Sequence, residues 1–117
     1  MADKLYAFHV SQEVFDLVEY LRKKEEITRK VFTRRAIQHF LDGSREIDEK
    51  ILITNHYDPE YIFRDVLFSV IIDKDLLDAV KQVASEKGCK KTHVLFQSLV
   101  GYCVELIDPD DGNINIE

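Results

Sequence analysis

One pattern occurs twice in this chain, and it limits the possible folds more than any other feature. The stretch KLYAFHVSQEVFDLVEYL, from Lys4 to Leu21, is answered by FSVIIDKDLLDAVKQV, from Phe68 to Val83. Each is a short alternating run, a polar step and then a helical pattern. Val10 corresponds to Ile72, 62 positions on, and Val10 to Thr28 spans the same 18 positions as Ile72 to Lys90. Internal repetition means that one copy cannot bury its apolar face alone.

In the first copy, Tyr6, Phe8 and Val10 alternate with Leu5, Ala7 and His9, which is the period of a strand. Ser11 then reads as a helix cap, with Glu13 beside the positive end of the helix dipole. Val14, Leu17, Val18 and Leu21 follow at helical spacing, and Phe15 widens that face. The helix fades in Arg22-Lys23-Lys24-Glu25-Glu26. Thr28 can cap a second helix with Val31, Phe32, Ala36, Ile37, Phe40 and Leu41 inside, stopped by Gly43.

The second copy keeps the order. Phe68, Val70 and Ile72 alternate with Leu67, Ser69 and Ile71, and Asp73 takes the place of Ser11. Leu76, Leu77, Val80, Val83 and Ala84 form the next helix face, which Gly88 ends. Lys90-Lys91-Thr92 lead into a last helix carrying Val94, Leu95, Leu99, Val100, Cys103 and Leu106. Asp108-Pro109 closes it, because proline cannot continue a helix.

The expected fold class is therefore mainly α with a two-stranded antiparallel ribbon. Each strand lacks a partner in its own unit, so the two pair with each other and four helices close over one face. Residues 1–43 form the first unit, 44–66 a linker, 67–108 the second unit and 109–117 an acidic tail. Within the linker, Ile51-Leu52-Ile53 reads as a short strand or a packed arm. Asp58-Pro59-Glu60 reads as the start of a helical turn. Tyr57, Tyr61 and Phe63 are expected to pin the linker to the core.

The net charge is −6, but the charge is unevenly spread. Residues 1–41 hold eight Lys/Arg against six Asp/Glu, and residues 66–106 hold five of each. Residues 42–65 hold three against seven, and residues 107–117 hold none against four. The acid lies in the linker and tail, so the overall balance does not exclude nucleic acid. Cys89 and Cys103 form neither a disulfide framework nor a metal spacing, and read as buried reduced thiols. MADKLYAF lacks a signal-peptide pattern, and no apolar run approaches the roughly 20 residues of a membrane span. A cytoplasmic protein is expected, in a prokaryotic cell or in the host cytoplasm if viral.

The repeated strand, the polar step with an acid (SQE; DKD), the amphipathic helix, the short turn (EEITRK; KGCKKT) and the second helix resemble the ribbon-helix-helix, or MetJ/Arc-type, DNA-binding family. That family normally builds homodimers from one copy per chain. This chain resembles the tandem arrangement of TraY-like plasmid proteins and some archaeal viral regulators, a pseudo-dimer sharing one core. The match covers residues 4–41 and 67–106.

The resemblance implies a transcription regulator whose partner is double-stranded DNA, with self-association along the DNA. It also implies two functional places. The outward face of the strand pair enters the major groove, which assigns base-facing roles to Leu5, Ala7, His9, Leu67, Ser69 and Ile71. The start of each second helix holds a phosphate, which assigns Thr28, Arg29 and Lys30 in one copy and Lys90, Lys91 and Thr92 in the other. Lys23, Lys24, Arg34 and Arg35 extend the basic surface of the first copy.

The strand face departs from the family pattern. Base edges need donors and acceptors, yet only His9 and Ser69 are polar there. Three readings stay open: the face touches thymine methyl groups, it is covered by Ile51 to Ile53, or it binds a protein. The last would make the chain an interaction module, such as an antitoxin or a plasmid or viral accessory factor. His9, His39, His56 and His93 show no zinc-like spacing, so no metal is expected. Four glycines form no phosphate loop, and no nucleophile–base or paired-carboxylate pattern stands out. No catalytic residue, no cofactor and no small-molecule substrate are expected.

Overall fold

In a computed structural model that describes residues 3–107, the two alternating runs are strands β1 (Asp3–Val10) and β2 (Val66–Asp73). They pair antiparallel as a two-stranded sheet. Leu5 lies opposite Ile71, Ala7 opposite Ser69, and His9 opposite Leu67. Ala7 is thus paired with its own counterpart in the repeat, at the centre of the register.

The helices start where side chains can satisfy their first backbone N–H groups. Helix α1 (Gln12–Lys24) has Ser11 as cap, accepting from the Val14 N–H. Helix α2 (Arg29–Asp42) has Thr28, accepting from the Val31 N–H. After a single turn α3 (Glu49–Leu52), helix α4 (Lys74–Lys87) follows β2 with Asp73 as cap. Helix α5 (Lys91–Ile107) completes the described residues. The turns α1–α2 and α4–α5 share one unusual backbone state: Glu26 (φ 61°) and Gly88 (φ 67°), equivalent positions, are both left-handed.

One apolar cluster unites both copies. Phe8, Val10, Phe68, Val70 and Ile72 point from the ribbon onto Phe32, Ile37, Leu95, Phe96 and Leu99 of α2 and α5. Removing one such side chain from water contributes about 1.5–3 kcal/mol. Helix α2 packs on α5, α4 and β2, while α5 packs on α2, α1 and β1. Each second helix therefore leans on the strand and first helix of the other copy. The fold is a mainly helical structure with a two-stranded antiparallel sheet and five helices among the described residues.

The linker differs from expectation in part. Ile51 to Ile53 form no strand and do not cover the ribbon, but they do form a packed arm: Ile51 is buried in the α3 turn, which packs on α5. Capping decides this, because Asp48 accepts from the Lys50 N–H and starts a helical turn. Tyr57 and Phe63, 95% and 66% exposed, do not pin the linker. Ile47, Ile51 and Ile62 do so instead, helped by Tyr61 through its ring contacts. Asp58 does begin a turn, accepting from the Glu60 N–H. The closure at Asp108-Pro109 and the acidic tail lie outside the described residues.

Candidate functional site

The ribbon turns one face to the helices and leaves the other open. Leu5, Leu67 and Ile71 are 71%, 55% and 43% exposed, with Ala7 and His9 exposed and Ser69 half-buried among them. Period-two alternation fixes this, since every second side chain must point away from the core. All six predicted base-facing residues therefore share one surface. His9 and Ser69 are its polar members.

Two clefts flank that surface, and they correspond through the repeat. The first, about 480 Å³, lies at the start of α2 against Ser69, Val70 and Ile71. The second, about 340 Å³, lies at the start of α5 against Ala7, Phe8 and His9. Thr28 and Lys30 line the first, and their counterparts Lys90 and Thr92 line the second.

At the first flank the Thr28 hydroxyl is used as the helix cap. Lys30 is half-buried. Arg29 is held from several sides. Its guanidinium lies 5.3 and 5.0 Å from the ring centroids of Phe15 and Phe68. It donates to Glu19 Oε2 at 3.0 Å and to the Ser69 carbonyl at 3.1 Å. Arg22 donates to the other Glu19 oxygen at 2.8 Å. Burial favours the protonated carboxyl, but the hydrogen bonds and charges of Arg22 and Arg29 outweigh it and hold the Glu19 pKa below its ordinary value. Much of the Arg29 charge is thus answered inside the protein.

At the second flank Lys90 precedes the helix and has no side-chain acceptor to offer. Its backbone N–H donates instead to Nδ1 of His93 at 3.2 Å, while the His93 backbone N–H donates to the Lys90 carbonyl. Burial, then the charges of Arg64 and Lys90, depress the His93 pKa. Lys91 sets its ammonium 5.5 Å from the Tyr6 ring centroid. The linker walls this cleft with Thr54, His56, Tyr61 and Arg64. His56 stacks on Tyr61 at 4.5 Å. Arg64 sits between Tyr61 and Phe96, 5.4 Å from each ring centroid, and donates to the Ile51 and Ile53 carbonyls.

Sequence reasoning places the strand face and both helix starts but passes over Glu19 and Arg64, and takes His93 only as one of four scattered histidines. Arg64 does carry a signal: it is a cation beside Tyr61 and Phe63 in an acidic segment. No group of three or more His, Cys, Asp or Glu that suits a metal occurs among the described residues. Burial pushes the Cys103 thiol up to about 11 and raises Cys89 as well, which suits inert packing rather than reactivity. No helix among the described residues is long and apolar enough to cross a membrane.

No protein-family model, curated protein or solved structure matches the chain. Function therefore rests on the geometry itself.

Proposed function

We propose that the chain is a transcription regulator that binds duplex DNA as a tandem ribbon-helix-helix pseudo-dimer, acting by occupancy and not by catalysis. The observation that carries this reading is the register. Because Ala7 pairs with its counterpart Ser69, the outward residues form one face with equivalent helix starts on either side. A two-stranded ribbon fits the major groove of B-DNA. Leu5, Ala7, Leu67 and Ile71 would meet thymine methyl groups, and His9 and Ser69 the polar base edges. Lys30, Lys90 and Lys91, with Thr28 and Thr92, would position the backbone. Arg29 would act indirectly, by fixing the Ser69 carbonyl and the α2 start. Of the three equivalent outward positions, Leu5 and Leu67 match while Ala7 and Ser69, and His9 and Ile71, differ, so the preferred site need not be a palindrome. Self-association along DNA would lengthen a short footprint.

A second reading has its own observation. Leu5, Leu67 and Ile71 are large, exposed and adjacent, as on a protein-binding surface. In that case the same face belongs to an interaction module such as an antitoxin or an accessory factor.

Fluorescence anisotropy separates the two, using a random-sequence duplex and DNA from the chain's own locus over a salt series. The DNA reading expects affinity that falls steeply with salt and stays tighter for the local sequence. The double variant Lys90→Gln, Lys91→Gln should lower the salt slope by about 0.9 for each phosphate that is no longer neutralised. Absence of binding at low salt overturns the DNA reading and favours the protein partner.

A further inference from the structure

The cleft at the start of α5 gathers positive charge in an acidic protein. The chain carries 22 Asp and Glu against 16 Lys and Arg, yet among the described residues no carboxylate lines this cleft. Arg64, Lys90, His9, His56 and His93 do, three of the four histidines among them.

Two of these groups are largely withdrawn from bulk water and keep donors open to the cleft. Arg64 is half-buried between two rings, and its two hydrogen bonds go to carbonyls, which carry no net charge. No carboxylate lies within 4.0 Å of it among the described residues. A guanidinium withdrawn from water without a counter-charge favours any anion that can reach it. His93 is 8% exposed. Because its Nδ1 accepts the Lys90 N–H, the neutral ring carries its proton on Nε2. Among the described residues nothing accepts from that Nε2–H, and the ring lines the cleft.

We infer that this cleft binds a small phosphate monoester. A guanidinium with unused N–H groups, an imidazole N–H, an ammonium and the Thr92 hydroxyl suit the three oxygens of a phosphate better than the two of a carboxylate. A volume of about 340 Å³ falls in the range of small-ligand sites and leaves room for an organic part against the His56–Tyr61 stack. A DNA backbone phosphate has the same chemistry, but it needs only what the two flanks share. The wall of Thr54, His56, Tyr61 and Arg64 exists on one flank alone. The site does not depend on the DNA reading. Since His9 belongs to both the cleft and the outward strand face, a bound ester would lie beside whatever the ribbon holds.

The test is a titration of the full chain with inorganic phosphate and with ribose 5-phosphate, at ionic strength held constant with chloride, followed by ¹H–¹⁵N spectra. Saturable shifts at the His93 ring nitrogens and the Lys90 to Thr92 amides are expected, with the monoester tighter than phosphate. Arg64→Gln should weaken binding about tenfold. Lys90→Gln should weaken it several-fold; Lys90 is exposed and its backbone bond to His93 survives, so this variant keeps the fold if Arg64→Gln does not. Lys81→Gln, exposed on α4 and outside the cleft, should change nothing. Shifts that rise linearly as with chloride, or binding unaltered in Lys90→Gln, would overturn the site. Adding the random-sequence duplex separates the sources: a ternary complex supports the small ligand, and displacement of the monoester assigns the donors to a DNA phosphate instead. If the duplex does not bind at all, the DNA reading fails while the monoester result stands.

Discussion

Arg29 and Arg64 occupy similar cages with opposite electrostatic outcomes. Each lies between two aromatic rings and donates to a backbone carbonyl. Arg29 also meets Glu19, whereas Arg64 meets no carboxylate among the described residues. A counter-ion on the neighbouring helix turns the first cation into a cross-link between α1, α2 and β2. Its absence leaves the second as a source of positive potential facing a cleft. The cage alone does not say whether an arginine is structural or functional; the nearest carboxylate does.

The largest test of that contrast compares Arg29 with Lys91, which hold equivalent places in the two copies. Arg29→Ala removes packing against Phe15 and Phe68, the bond to the Ser69 carbonyl and one partner of Glu19. The expected loss is about 2 kcal/mol. Lys91→Ala removes the interaction with the Tyr6 ring, worth about 0.5 kcal/mol. Urea unfolding with an unchanged m-value measures both. Equal losses would mean that the two helix starts are energetically alike, and the distinction between the flanks would fall.

The turns offer a cleaner comparison, because geometry is matched and only the residue differs. Glu26 and Gly88 share the left-handed conformation, which is easy for glycine and strained for other residues. A Cβ at Gly88 would meet open space, so only the backbone matters there. Gly88→Ala should cost about 1 kcal/mol, and Glu26→Gly should recover up to about 1 kcal/mol. Thermal unfolding of the pair reads the two signs directly. A destabilised Glu26→Gly would show that the flexibility gained by the unfolded chain outweighs the relief of strain.

These cases also show what a sequence can reveal. Strand alternation and the caps at Ser11, Thr28 and Asp73 act over a few residues, so a linear reading finds them. The outward face follows from the same alternation. The fate of a cation is different. Glu19 and Arg29 are ten positions apart and meet only because the turn at Glu26 folds α2 back along α1. Arg64 reaches its cage only when the linker lies on Phe96 of α5. The linker misleads a linear reading because exposed Tyr57 and Phe63 look like anchors by type, while modest Ile47 and Ile62 do the packing.

Acid should separate the two flanks in time, as two small stages of lost stability. The effect is the least of the three because both groups keep some contact with water. His93 has a depressed pKa in the folded protein, from burial and then the charges of Arg64 and Lys90. As pH falls, the unfolded chain therefore takes up this proton first, from about 6.5 downward. Stability is full above that value and drains as pH falls toward the folded-state pKa, since protonating Nδ1 also breaks the bond from the Lys90 N–H. Glu19 is depressed from 4.5, its two arginines prevailing over burial. Its contribution is present above that value and is lost as pH falls through the lower folded-state pKa. Unfolding free energy measured against pH should thus fall first at the α5 flank and later at the α2 flank. His93→Gln should erase only the first stage and Glu19→Gln only the second. A first stage that survives His93→Gln would belong to another group and would remove the proposed link between His93 burial and the charge of the cleft. Saturating phosphate monoester should raise stability and make the first stage shallower, because an anion beside the ring favours the imidazolium, whose Nε2–H still donates, and so lifts the folded-state pKa back toward the ordinary value.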